Sequence, residues 1–243
     1  MKYVSAFLLL LLSTASLAQI NQKDAAGKKQ GVWKKPYEGS TVFKYVGQFK
    51  NDKPYGKFVY YYETGAVQAV VLHRTDGKTS DAKMYHESGY LMARGKYVTE
   101  KKDSIWLFYD DRGIISAQEN YKDGLLNGQR VVYYEPRDSQ YYVQEYSYWL
   151  NGQPHGEYKK YHPNTQVSEE GKYVNGKREG KVFHYLPDGK TGRVEQFKAG
   201  VKHGYFITYD DAGKQLGYKL YWDGVLLEGE ALKKKEAELR ANR

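Results

Sequence analysis

The sequence predicts an all-β chain: an elongated, curved, single-layer antiparallel sheet of tandem β-hairpins, each about 24 residues long, followed by a short C-terminal helix. Three observations carry this. Gly56, Ser80, Ser104, Gly128, Gly156, Gly180 and Gly204 recur in steps of 24, 24, 24, 28, 24 and 24. Five places after each stands a tyrosine: Tyr61, Tyr85, Tyr109, Tyr133, Tyr161, Tyr185 and Tyr209. Seven places before each stands a second column, Phe49, His73, Tyr97, Tyr121, Trp149, Tyr173 and Phe197, which Tyr221 continues. The two columns lie half a repeat out of phase, so one unit holds two strands and two turns.

Each half-unit is a short run rich in Tyr, Phe, Val and Lys, bounded by Gly, Asn and Asp. That is the pattern of hairpins, whereas a helical repeat would space its apolar residues at i, i+3, i+4 and i+7. Asp123-Gly124, Asn151-Gly152, Asn175-Gly176 and Asp223-Gly224 share one turn position, where a tight hairpin needs positive φ. Gly65, Gly89, Gly113, Gly189 and Gly213 share the other; the copies at Arg137 and Thr165 lack it, and a four-residue insertion falls between them.

Taken in order, Met1 to Ala18 reads as a cleavable export signal, with Lys2, an apolar run from Ala6 to Leu12, and Ser16-Leu17-Ala18 as a small-residue cleavage site. The run is about half of the ~20 residues that span a bilayer, and no second apolar stretch follows. The expected address is therefore the periplasm, the cell surface or the exterior. Residues 19–30 form a polar leader, and residues 31–228 the array, expected to hold about 16 strands.

Within the array, Tyr45-Val46-Gly47-Gln48-Phe49 followed by a turn and Gly56-Lys57-Phe58 resembles a MORN repeat. Gly171-Lys172-Tyr173-Val174-Asn175-Gly176-Lys177-Arg178-Glu179-Gly180 is similar to the bacterial variant of that repeat, commonly described as antitoxin-like. The resemblance covers about residues 31 to 228 and implies successive hairpins in one long curved layer. Ser80, Ser104 and the insertion around Arg137 to Tyr142 depart from it. The fold hosts many roles, so the resemblance speaks first to structure.

From Glu230 the chain turns to helix formers, with Glu230/Lys234 and Glu236/Arg240 at i,i+4. Residues 229–243 are thus a charged tail whose helix is suited to cap the last strand.

The chain has no cysteine, which excludes disulfides, thiolate chemistry and Cys-ligated zinc. His155 and His203 hold one turn position two repeats apart, about 19 Å across four strands at ~4.8 Å each, too far to share an ion. Asp110/Asp111 and Asp210/Asp211 fall on turns, where acids satisfy local backbone donors. No Ser-His-Asp order, His-Glu-x-x-His or phosphate loop is present. A non-enzymatic chain without cofactor or metal is expected.

The formal charge is +9. One turn rim carries two bases against eight acids and the other seven against six, so the positive excess lies on strands, at Lys83, Lys96, Lys159, Lys160, Lys172, Lys181 and Lys219, and in the tail. The seven-tyrosine column reads as packing. Irregular aromatics are freer for a ligand, and the candidate binding residues are Tyr158, Lys159, Lys160, Trp106, Tyr60 and Tyr62. The expected function is a secreted scaffold that binds a protein or envelope polysaccharide, acidic or polyhydroxylated, and no nucleic acid. The resemblance implies two alternatives: neutralising a toxin in the periplasm, or binding lipid headgroups.

Overall fold

The computed structural model describes residues 20–241, so the predicted signal, Met1 to Ala18, lies outside the described residues. Twenty strands and one helix follow in order. The first repeats supply β1 (Gln22–Lys23), β2 (Lys29–Pro36), β3 (Phe43–Lys50), β4 (Lys53–Tyr61), β5 (Val67–His73), β6 (Thr79–Tyr85) and β7 (Leu91–Val98). The middle supplies β8 (Lys101–Tyr109), β9 (Ile115–Lys122), β10 (Leu125–Tyr133), β11 (Val143–Leu150), β12 (Gln153–Tyr161) and β13 (Val167–Val174). The last supplies β14 (Lys177–Arg178), β15 (Gly180–Tyr185), β16 (Thr191–Lys198), β17 (Val201–Lys202), β18 (Gly204–Tyr209), β19 (Gln215–Trp222), β20 (Val225–Leu227) and α1 (Gly229–Ala241).

Each strand pairs antiparallel with its neighbours in sequence; β1 pairs only with β2 and β20 only with β19, so the sheet is open. β14 and β15 both pair with β13, and β17 and β18 with β16, so each of these is one strand interrupted by a residue. The expected leader already contains sheet: Gln22 and Lys23 pair with Gln30 and Lys29.

The turns follow the residues that form them. Seven two-residue turns, including Asn51-Asp52, Thr99-Glu100 and Asn175-Gly176, have both residues at positive φ, the I′ geometry that matches strand twist. At the opposite rim Asp110 Oδ1 accepts the amides of Arg112 and Ile114 at 3.0 and 2.9 Å, and Asp210 Oδ1 those of Ala212 and Lys214 at 3.0 and 2.8 Å. These acids fix their own turns. Thr165 takes the glycine's role at φ 72°, and the insertion closes on its own tight turn, Asp138-Ser139, at φ 51° and 61°.

The two serines that interrupt the glycine series behave differently. Ser104 keeps the glycine conformation at φ 59°, beside an irregularity in the β7–β8 register. Ser80 does not, because a longer loop through Gly77 replaces the tight turn and β5 and β6 pair without a register shift.

Successive repeats are also tied through their turns. The amides of Gly124, Gly152, Gly176, Gly200 and Gly224 donate to the carbonyls of Lys102, Leu126, Pro154, Arg178 and Lys202, at 2.8 to 2.9 Å. At the other rim Tyr37, Tyr62 and Tyr134 donate their hydroxyls to the carbonyls of Tyr61, Tyr85 and Tyr161, at 2.6, 2.8 and 2.6 Å. His162 Nε2 meets the Tyr185 carbonyl at 2.8 Å in the same way.

Most of the core lies on one face, while Val194 and Leu220, paired with Phe183 and Tyr205, are buried on the other. Phe58, Ala82, Trp106, Tyr158 and Val182 hold equivalent positions and are all buried, Trp106 and Val182 completely. Rings of the second column pack against them: Phe49 on Phe58 at 5.2 Å, Tyr97 on Trp106 at 4.9 Å and Tyr173 on Tyr158 at 4.8 Å. The seven-tyrosine column, expected to be the packed one, is only half-buried throughout. The deepest positions stand three residues before it.

The helix returns to the sheet. Lys235 Nζ sits 4.2 Å from the Trp222 ring centroid, and Glu236 accepts the Tyr218 hydroxyl at 2.7 Å. Among the described residues no helix is long and apolar enough to cross a membrane.

Candidate binding surface

Because side chains alternate along a strand, the sheet has two surfaces of different chemistry. The packed face carries Phe58, Trp106 and Tyr158, and glycines on neighbouring strands make room for these rings. A Cβ built on Gly47 would stand 2.3 Å from the Phe58 ring, and one on Gly171 3.0 Å from Tyr158 and Val182. Cations roof the packed face: Lys102 Nζ lies 4.7, 4.8 and 4.9 Å from the centroids of Trp106, Phe108 and Tyr121. Burial lowers the pKa of this ammonium, against the pull of Glu119.

Towards the C-terminus the same face becomes an ionic network. Arg130 bridges Glu119 at 3.1 Å and Glu145 at 2.9 Å. Glu169 accepts the Tyr158 hydroxyl at 2.9 Å and faces Lys160 at 3.4 Å, Arg178 at 3.2 Å and His184 at 3.4 Å. Burial opposes its charge, but that hydrogen bond and the three basic groups hold its pKa below the usual glutamate value. His184 then meets Glu195 at 3.2 Å on its other nitrogen. Every acid here has a base, so the network reads as structure.

The structure separates the six residues that the sequence nominated. Trp106 is fully buried, with its indole N–H donated to the Lys96 carbonyl at 3.0 Å, and Tyr158 is 3% exposed. Both are core side chains and are withdrawn as ligand contacts. Tyr60 is half-buried between Tyr45 and Phe58, and burial raises its phenol pKa. Tyr62 spends its hydroxyl on the Tyr85 carbonyl. Lys159 and Lys160 point to opposite faces and are both paired, Lys159 with Glu170 at 3.0 Å and Lys160 with Glu169 at 3.4 Å. The hydrogen bond to Glu170 holds the Lys159 ammonium above its ordinary value. These six therefore form no single patch.

A patch does exist on the opposite face of β4 to β8. There Val70, Leu72, Ile105 and Leu107 floor an open trough of about 700 Å³, rimmed by Lys57, Lys83, Arg94 and Lys96, with Asp81 the one carboxylate. Leu72 and Ile105 are 44% and 53% exposed. Asp81 is engaged by Arg74, and Lys96 reaches Asp103 only at 3.9 Å. Lys83 and Arg94 stand directly opposite each other on β6 and β7. Like charges in that relation destabilise a sheet. Along the same face at β12 to β15, by contrast, acids and bases alternate: Glu157 lies opposite Lys172 and Lys159 opposite Glu170. Of the strand lysines named from sequence, Lys83 and Lys96 belong to the trough. Arg94 and Lys57 were missed; the signal was two cations placed opposite one another once β6 and β7 are aligned.

Among the described residues no group of three or more His, Asp or Glu side chains is placed to hold a metal ion. No protein-family model matches the chain, and comparison with curated proteins gives no match.

Proposed function

We propose that this chain is a non-enzymatic binding scaffold, exported through its N-terminal signal, that holds an acidic protein segment in the trough of β4 to β8. The reading agrees with the role expected from the MORN-like repeat pattern: a broad sheet that presents side chains without reacting. The observation that carries it is the Lys83–Arg94 pair. Two cations directly opposite, above exposed Leu72 and Ile105, oppose folding unless an anion offsets them. The apolar floor favours a protein partner with apolar side chains beside its carboxylates over a polyhydroxylated polymer. An acidic surface of a periplasmic toxin is one such partner.

The test titrates the protein with poly-L-glutamate, a random glutamate–tyrosine copolymer and polygalacturonate, at 0.1 M and 1 M salt. The copolymer is expected to bind most tightly, with affinity falling at high salt as the Debye length shrinks from ~10 Å to ~3 Å. A Lys83→Glu, Arg94→Glu double variant should lose that binding, while Lys159→Glu should keep it. Equal affinity for wild type and the double variant would overturn the proposal.

A further inference from the structure

The register of β4 to β8 sets the residues of the trough in a line. Val59, Val70, Lys83, Arg94 and Leu107 each pair with the next on the neighbouring strand, so they run straight across the sheet. The register shifts of these ladders fall to either side of that line, and the alternation of side chains holds along it. Two places along their strands, Leu72 stands beside Val70 and Ile105 beside Leu107, on the same face. From β5 to β8 the line therefore reads apolar, cation, cation, apolar, with an aliphatic pair at each end. At ~4.8 Å per strand the two pairs lie about 14 Å apart, and the midpoint of Lys83 and Arg94 lies about 7 Å from each.

The two central cations are the ones left without an acid. Among the described residues no carboxylate pairs with Lys83 or Arg94, because Asp81 and Asp103, the acids flanking Lys96 in the next row, are held by Arg74 and by Lys96 itself. Leu72 and Ile105, at 44% and 53% exposure, are equally uncovered.

We infer, building on the reading of the trough as a site for an acidic protein segment, that its occupant is an extended segment lying across the strands, in which an aspartate or glutamate is flanked two places to each side by a large apolar residue. In an extended chain alternate side chains point the same way about 6.8 Å apart, so three in succession span about 13.6 Å. The middle carboxylate then falls over Lys83 and Arg94, and the outer two side chains over Val70 with Leu72 and Leu107 with Ile105. The pattern reads the same from either end, so it fits in either chain direction. A helix, rising ~1.5 Å per residue, would put the middle contact about five places along, turned well away from the sheet. Recognition rests on side chains, since β5 to β8 bond their peptide groups to one another.

Four capped peptides with identical Gly-Ser flanks test this, carrying the cores Leu-Ser-Glu-Ser-Leu, Leu-Glu-Ser-Ser-Leu, Leu-Ser-Gln-Ser-Leu and Leu-Ser-Lys-Ser-Leu. Titrated at 0.1 M salt, the first should bind most tightly. The second keeps its composition and leucine spacing but turns the acid away from the cations, and the third removes the charge; each should bind about tenfold more weakly. Leu72→Ser and Ile105→Ser should each weaken the first several-fold. The Lys83→Glu, Arg94→Glu double variant again sets like charges opposite each other, so it should fold as the wild type does, with circular dichroism unchanged. It should refuse the first peptide and take the fourth. Failure of that exchange, or equal binding of the first two peptides to the wild type, would overturn the inference. If the first two peptides do not differ while the glutamate–tyrosine copolymer binds and the double variant loses it, the spacing is wrong and the acidic-partner reading stands. If neither the copolymer nor any peptide binds, both fall.

Discussion

Gly95 lies directly beneath Trp106: a Cβ built on the glycine would stand 2.3 Å from the indole. The flat ring covers bare backbone, and that contact lets the largest side chain of the face reach 0% exposure. Gly95→Ala is therefore expected to cost about 2 kcal/mol by overpacking, and Trp106→Ala about 3 to 5 kcal/mol. The double variant should cost clearly less than the sum, because the methyl then occupies part of the vacated space. Urea denaturation of the four proteins measures the coupling; additive costs would mean that the ring and the glycine do not share this contact.

Ser104 and Ser80 should respond in opposite directions to glycine. Ser104 sits at φ 59°, where a Cβ is strained, so Ser104→Gly should gain up to about 1 kcal/mol. Ser80 lies in a regular strand, with its hydroxyl 2.9 Å from His73 Nδ1, so Ser80→Gly should lose about 1 kcal/mol. Thermal melts in parallel would check the sign of each change.

Acid should weaken the C-terminal half of the array. Glu169 has a folded-state pKa below its ordinary value of 4.5. Its stabilising contribution is thus complete above that value and is lost as pH falls through the folded pKa. Stability measured from pH 6 down to pH 2 should decline below about 4.5. Glu169→Gln should flatten that decline while costing about 1 to 3 kcal/mol at neutral pH, because Lys160 and Arg178 lose their carboxylate.

Asn21 is expected to protect the edge it plugs. Asn21→Ala removes both side-chain bonds to Lys34. Hydrogen exchange should quicken over Lys29–Pro36 and stay unchanged from β5 onward, since each strand contacts mainly its neighbours.

Much of this architecture was legible in the residues. The 24-residue spacing located the hairpins of the array but not the one that β1 makes with β2, and Asn-Gly and Asp-Gly located four of the seven tight turns, the other three being Asn51-Asp52, Thr99-Glu100 and Ala199-Gly200. What could not be read was which face packs, because both alternating sets of side chains carry rings. Trp106 and Tyr158 were accordingly placed at the surface. Their partners were visible as Gly95 and Gly171, but only strand register shows that these glycines lie under those rings. Register also decides charge. Lys159 and Lys160 look like a basic patch in sequence, yet alternation sends them to opposite faces, each to its own glutamate. Lys83 and Arg94, eleven places apart in the chain, become the concentrated charge only once β6 lies beside β7.

The amides that run from each tight turn to the carbonyl of the preceding repeat fasten neighbours only. Stretched by its two ends, such a chain would give way as a zipper does, one unit at a time. A 24-residue unit would release on the order of 80 Å of slack, at about 3.4 Å per residue. The unit with the four-residue insertion would release on the order of 95 Å, marking its own place in a force–extension trace. Tension would thus shorten the folded array by whole units while the remaining hairpins kept their shape.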